Sequence, residues 1–219
     1  MLSALLTGCT ASVLEASAAE SIRAGRVHQE SFAPPLLVNH LRADCAALDD
    51  EGYFQSAGSG GRAGAVDTMR SALYCDPVGR DRSVGMWDAF FALWERLDAV
   101  RQELAVSLGL PLLEDMELHY VDYQRGGYYQ RHVDDDLQAA GAPSRRCVSF
   151  VLFLTPADEP WEASDGGALR AYQADGVSQD HLPTSGSLAL FDSCRVEHEV
   201  LPTTRSGRLC LIGWFHTTA

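Results

Sequence analysis

The sequence predicts a mainly β protein, a sandwich or barrel of antiparallel strands backed by helices. Two observations lead there. Helical spacing is confined to the first half of the chain, and from Glu117 onward the pattern changes to short segments rich in β-forming residues. The 219 residues are 46% hydrophobic and 21% charged, an ordinary globular composition that holds one large domain or two small ones. Neither an internal repeat nor a long linker divides them.

In chain order, residues 1–25 read as a small-residue tail or short helix. Leu-Thr-Gly-Cys and Ala-Ser-Ala-Ala look like processing sites, but no positive residue precedes the apolar part and few apolar residues precede Cys9. Pro34-Pro35 then opens a helix carrying Leu37, Leu41, Cys45 and Leu48 at a spacing of 3–4, with Gly52 as its stop. A second helix is expected from Met86 to Leu108. Trp87, Phe90, Phe91, Trp94, Leu97, Val100, Leu104 and Leu108 form one apolar stripe, which Gly109 and Pro111 end. Such a stripe is core packing. Between the helices, the Gly-rich run 56–64 lacks the preceding strand and following helix of a phosphate cradle, and reads as a surface loop.

Seven strands are plain after Glu117: 117–124, 128–133, 145–155, 167–173, 185–193, 196–202 and 208–216, with a weaker eighth at 177–182. The chain therefore divides into the tail, a helical support over 26–112 and a strand core over 113–219.

Charge narrows the function. With 17 basic and 30 acidic residues the net charge is −13, the wrong sign for a face that tracks nucleic-acid phosphates. No apolar run approaches the roughly 20 residues of a membrane helix, so no membrane partner is expected and the cytoplasm is the default placement. The six cysteines include no Cys-x-x-Cys pair and read as reduced core thiols.

The chemistry gathers around His132-Val133-Asp134. On a strand, residues i and i+2 face the same way, so imidazole and carboxylate project together. His198 stands in a later strand. Two histidines and one carboxylate form the facial set of non-haem iron(II) enzymes, which leaves coordination positions open. Arg208, ten residues beyond His198, offers a planar cation that can hold the far carboxylate of a diacid.

Residues 117–216 resemble the catalytic core of the iron(II)/2-oxoglutarate-dependent dioxygenases, in the prolyl 4-hydroxylase-like branch. The Tyr-x-x-Gly-x-x-Tyr/Phe-x-x-His-x-Asp pattern is met by Tyr123, Gly126, Tyr129, His132 and Asp134. Gly166-Gly167-Ala168-Leu169 matches Gly-Gly-x-Leu, and Pro183, Gly186, Leu188 and Phe191 match the next motif. His198-Glu199-Val200-Leu201-Pro202, Arg208 and Trp214 complete the set. The wording looks closest to the hypoxia-type prolyl hydroxylases and their bacterial relatives, and residues 30–110 resemble their helical support more loosely.

The resemblance implies a double-stranded β-helix of the jelly-roll or cupin-like type. It implies iron(II) on His132, Asp134 and His198, with 2-oxoglutarate bound through Arg208 and Tyr123. O2 is the oxidant, ascorbate a reductant, and a protein or peptide proline the substrate, with succinate and CO2 released. Two departures stand in the co-substrate pocket: Phe153 where that group has a tyrosine, and Ile212 where it has a threonine. Both remove hydrogen bonds. Arg205 is the rival anchor, disfavoured by its place in a turn. His119 and His181 fall outside the metal pattern, Trp161 and Glu162 sit in an acidic loop, and His28 and His40 are expected away from the strand core. Loops 56–64 and 135–144 are the expected cover of the barrel mouth. Alternative readings are a hydroxylase of another side chain or of a small molecule, and a non-catalytic cupin-like metal-binding protein. The distal arginine argues against the last.

Overall fold

The fold is described from a computed structural model, for residues 12–56, 69–135, 143–173 and 176–218. Among the described residues the α-helices are α1 (Ala18–Arg23), α2 (Pro35–Asp50) and α3 (Trp87–Leu108). The strands in the first half are β1 (His28–Ser31), β2 (Gln55–Ser56), β3 (Arg70–Ser71) and β4 (Leu73–Cys75). Those of the second half are β5 (Leu112–Tyr123), β6 (Tyr128–His132), β7 (Ser144–Phe153), β8 (Leu169–Tyr172), β9 (Ser178–His181), β10 (Ser187–Asp192), β11 (Glu197–Val200) and β12 (Arg208–Thr218). They form a large antiparallel sheet in the order β1-β10-β7-β12-β5-β4-β2 and a smaller one in the order β3-β6-β11-β8-β9. The two sheets make the double-stranded β-helix.

The large sheet is buried on both faces, which explains its nearly unbroken apolar strands. In β7, Val148, Phe150 and Leu152 face the helices, where they meet Leu41 and Leu48 of α2 and Leu93, Leu97 and Val100 of α3. Val151 and Phe153 face the opposite way, with Val121, Ala189, Phe191 and Cys210, toward Leu169, Ala171 and Val200 of the small sheet. The helices thus stiffen one face while the other forms the barrel interior. α3 ends as expected at Gly109, whose φ of 69° a side chain would strain.

Several expectations need correction. Four short strands lie inside the segment read as helical support. β1 is polar in sequence and is defined by its pairing with β10, so no alternation announces it. His28 accordingly sits in the large sheet, 7% exposed, on Glu30 at 2.6 Å, rather than away from the strands. Leu14, Ala18 and Ile22 are buried in the helical core, so this part of the expected tail is packed. β2 precedes the Gly-rich run, and β3 is the next element after it among the described residues; residues 57–64 of the run lie outside them. The five described cysteines are free, Cys45, Cys75 and Cys210 fully buried. Among the described residues, no helix is long and apolar enough to cross a membrane.

A buried ion pair locks α2 to the strands. The Asp44 carboxylate, 0% exposed, takes hydrogen bonds from Arg80 (2.6 Å), the Tyr120 hydroxyl (2.9 Å) and the Met86 backbone N–H. Arg80 also lies over the rings of Trp87 and Phe90. Removing the carboxylate would strand a buried cation. Asp44→Ala should therefore cost about 3–5 kcal/mol in urea unfolding, and Asp44→Leu with Arg80→Met should recover most of the loss.

Candidate metal centre and its cavity

The register of the large sheet lays its inward side chains out in rows. Tyr123 and Arg208 lie opposite one another; the next row is Tyr74, Val121, Cys210 and Phe153. Beyond it come His119, Ile212 and Val151, then Trp214, Ser149 and Phe191. Between these rows and the small sheet lies a cavity of about 400 Å³. His132, Asp134 and His198 stand in its wall near the Ser149 row, and Arg208 lies at the other end.

His132 on β6 and His198 on β11 are direct cross-strand partners, with ring centroids 4.3 Å apart. Asp134 Oδ1 is 3.4 Å from His132 Nε2 and 3.7 Å from His198 Nε2. Each histidine turns its Nδ1 to a backbone carbonyl two residues earlier, Gln130 at 2.7 Å and Val196 at 3.1 Å. A proton on Nδ1 satisfies each carbonyl and leaves the Nε2 lone pair aimed at the gap, as a metal ligand requires. Burial lowers the His198 pKa, favouring the neutral form; Asp134 opposes this and His132 adds to it.

Asp134 is brought in by a different route from the one expected. β6 ends at His132, and the backbone N–H groups of Asp134 and Asp135 bond to the Ser193 carbonyl at 3.1 Å. The carboxylate is then held by the large sheet, because Ser149 Oγ donates to Asp134 Oδ2 at 2.6 Å. Burial would raise its pKa, but His198, His132 and Ser149 outweigh that and hold it well below the usual carboxylate range. Sequence reasoning missed Ser149, although a lone hydroxyl in the apolar stretch of β7 was a signal. It also missed Tyr129 as the ring stacked on His132 at 3.7 Å.

Arg208 is 1% exposed. Its Nε donates to the Gly167 carbonyl, its Nη1 lies 3.5 Å from Cys210 Sγ, and its cation sits 4.6 Å from the Tyr123 ring centre and 5.4 Å from that of Phe153. No carboxylate pairs with it among the described residues. Gly167 permits this placement, since a Cβ there would come within 2.9 Å of the Arg208 side chain. Arg205 instead binds Glu159 at 2.9 Å and Asp165 at 3.3 Å and covers Trp161. Trp161 is buried and bonded to the Gly166 carbonyl, so it braces this loop rather than bordering the cavity.

His119 lines the cavity edge-on to Tyr74 and Trp214, whereas His181 is buried beside Gln29. Phe153 and Ile212 occupy the positions expected of them on the inner face. Most of segment 135–144, expected with 56–64 to cover the mouth, lies outside the described residues. A second grouping, Glu15, His28 and Glu30, lies away from the cavity, and Glu30 there already accepts from His28 and from the Glu15 N–H.

Residues 118–216 match the family model of the 2OG-Fe(II) oxygenase superfamily. A PKHD-type hydroxylase of Paraburkholderia phymatum is 32% identical over 161 residues, 68% of this chain and 66% of that protein. The crystal structure of a Pseudomonas putida prolyl-4-hydroxylase superposes with a TM-score of 0.75 at 33% identity, over 93% of this chain and 99% of that one. A Trichoplax adhaerens prolyl hydroxylase, solved with a hypoxia-inducible-factor peptide, superposes at 0.74 with 21% identity, over 90% and 86% of the two chains, a likeness of fold. The fold and these matches define a non-haem iron oxygenase of the 2-oxo-acid-dependent class. More particularly, the chain belongs to the 2OG-Fe(II) oxygenase superfamily in its prolyl 4-hydroxylase-like branch, an oxidoreductase that depends on iron(II), 2-oxoglutarate and O2.

Beside the centre, Arg146 donates to the Asp134 carbonyl at 3.2 Å and to Glu117 at 3.0 Å. Burial pushes the Glu117 carboxyl up, but hydrogen bonds from His119, Arg146 and His216 bring it down to about 2. A lowered folded-state value adds stability above the ordinary value of 4.5, which is lost as pH falls toward about 2. Allowing for partial exposure, Glu117→Gln should cost about 1–2 kcal/mol at pH 7. In urea titrations the two proteins should converge as pH falls below 4.5.

Proposed function

We propose that this chain hydroxylates a proline within a protein or peptide, with His132, Asp134 and His198 holding iron(II) and Arg208 and Tyr123 holding 2-oxoglutarate. The observation that carries the site assignment is the Arg208 guanidinium: a cation 1% exposed, with no carboxylate partner among the described residues, at the far end of the cavity that the three proposed ligands share. A buried cation is costly unless paired, and the far carboxylate of the co-substrate supplies the missing charge. The donor set also fits the metal, since two imidazoles and one carboxylate on one side leave the other side open.

When bound, iron(II) and 2-oxoglutarate would supply the oxidising chemistry with O2, one oxygen atom entering succinate as CO2 is released and the other entering a substrate C–H bond. The protein's part is placement. Gln130 and Val196 hold the imidazole tautomers, and Ser149 orients one carboxylate oxygen so that the other faces the histidines. Val151, Phe191 and Ile212, whose side chains carry no polar atoms, line the wall beside the reacting centre. For the substrate, the support is the 33% identity to a bacterial prolyl-4-hydroxylase across nearly the whole chain.

Changing His132, Asp134 or His198 to Ala should abolish 2-oxoglutarate turnover and weaken metal binding by calorimetry. Arg208→Gln should raise the 2-oxoglutarate KM by at least about 100-fold, as losing one partner of a buried pair implies, with metal binding retained. Arg205→Ala should change neither. Mass spectrometry of a proteome treated with the enzyme, iron(II), ascorbate and 2-oxoglutarate should find proline residues carrying one added oxygen. Turnover on free proline or another metabolite with no protein product would overturn the substrate assignment.

A further inference from the structure

Phe153 and Ile212 give the proposed co-substrate pocket no side-chain hydrogen bond, and one tyrosine hydroxyl in the same cavity lacks a regular partner among the described residues. Arg208 Nη1 lies 3.5 Å from Cys210 Sγ, so the guanidinium reaches from its own row into that of Tyr74, Val121, Cys210 and Phe153. Phe153 closes that row on one side and Tyr74 on the other. Tyr74 stands on β4 directly opposite Val121, itself directly opposite Cys210. A short valine leaves room for a tyrosine to lie across it. The Tyr74 hydroxyl is fully shielded and makes no regular hydrogen bond among the described residues. Its side chain lines the cavity, with Tyr123 and Arg70 as polar neighbours.

The other side chains around the guanidinium give little to an anion. Val121 and Phe153 have no donor, and the Cys210 thiol turns toward the Val121 carbonyl. Tyr123 and Tyr74 are left as hydroxyl donors. We propose that Tyr74 is a co-substrate-binding residue, whose hydroxyl donates to the 2-oxo-acid carboxylate held by Arg208 and so replaces the hydroxyl absent at Phe153. This rests on the assignment of Arg208 as the anchor. It also turns the two departures from the family pattern into a relocation of the donor from β7 to β4.

The test is equilibrium binding by calorimetry under argon, with Mn(II) in the metal site. Tyr74→Phe removes a single oxygen atom and should weaken 2-oxoglutarate about tenfold, or about 1.4 kcal/mol. Mn(II) affinity should be unchanged, as should the affinity for 2-oxobutyrate, which has no far carboxylate. Adding Phe153→Tyr to Tyr74→Phe should recover most of the loss. If Arg208→Gln weakens 2-oxoglutarate while Tyr74→Phe leaves it within twofold, the Tyr74 assignment fails and the anchor stands. Equal weakening of both oxo acids by Tyr74→Phe would also defeat it, as a general effect on the fold. Unchanged 2-oxoglutarate binding in Arg208→Gln would overturn the anchor itself.

Discussion

A guanidinium with no carboxylate beside it among the described residues sits at one end of this barrel, and much of the interior is arranged around that cation. Arg208 can be buried because its Nε meets the Gly167 carbonyl and because its face lies on the Tyr123 ring. Gly167 must lack a side chain for the strands to close over it. What remains unsatisfied is charge, which the far carboxylate of the proposed co-substrate would supply. The same low-polarity surroundings that make the empty cation costly make a paired one selective, since a ligand without the second carboxylate leaves the cost in place.

The proposed metal ligands depend on both sheets. His132 and His198 form a cross-strand pair within the small sheet, so their spacing follows from one ladder. Asp134 leaves that sheet and is tethered to the large one through Ser149 and the Ser193 carbonyl. The ligand set is therefore complete only when the sheets are correctly packed, and the helices on the outer face enforce that packing. The Asp44–Arg80 pair ties α2 to the segment before α3 and, through Tyr120, to β5. From β5 the order passes through Tyr123 into the cavity.

How much of this was legible depended on how local the cause was. α2 and α3 follow from apolar spacing and their stop signals, and the eight later strands follow from β-rich runs broken by turn residues. His132, Asp134, His198 and Arg208 could be named because their residue types and spacings are uncommon together. The short strands β1 to β4 could not. Two to four residues carry no periodicity, and their extended form comes from neighbours distant in the chain. The missing hydroxyl at Phe153 was visible, but not that β4 sets Tyr74 in the same row as Val121, Cys210 and Phe153.

The sequence by itself determined the helix stripes, the strand succession and the residue types of the proposed ligand set, because each is written in residues near one another or in a motif of fixed order. The tertiary structure decided which carbonyls hold the histidine tautomers, which serine holds Asp134, that Arg208 is buried without a counter-charge among the described residues, and that Tyr74 joins the row of Val121, Cys210 and Phe153. Those are consequences of strand register, which joins residues such as Tyr74, Val121 and Cys210 across long stretches of chain. Register is set by the packing of the whole barrel, and no local pattern encodes it.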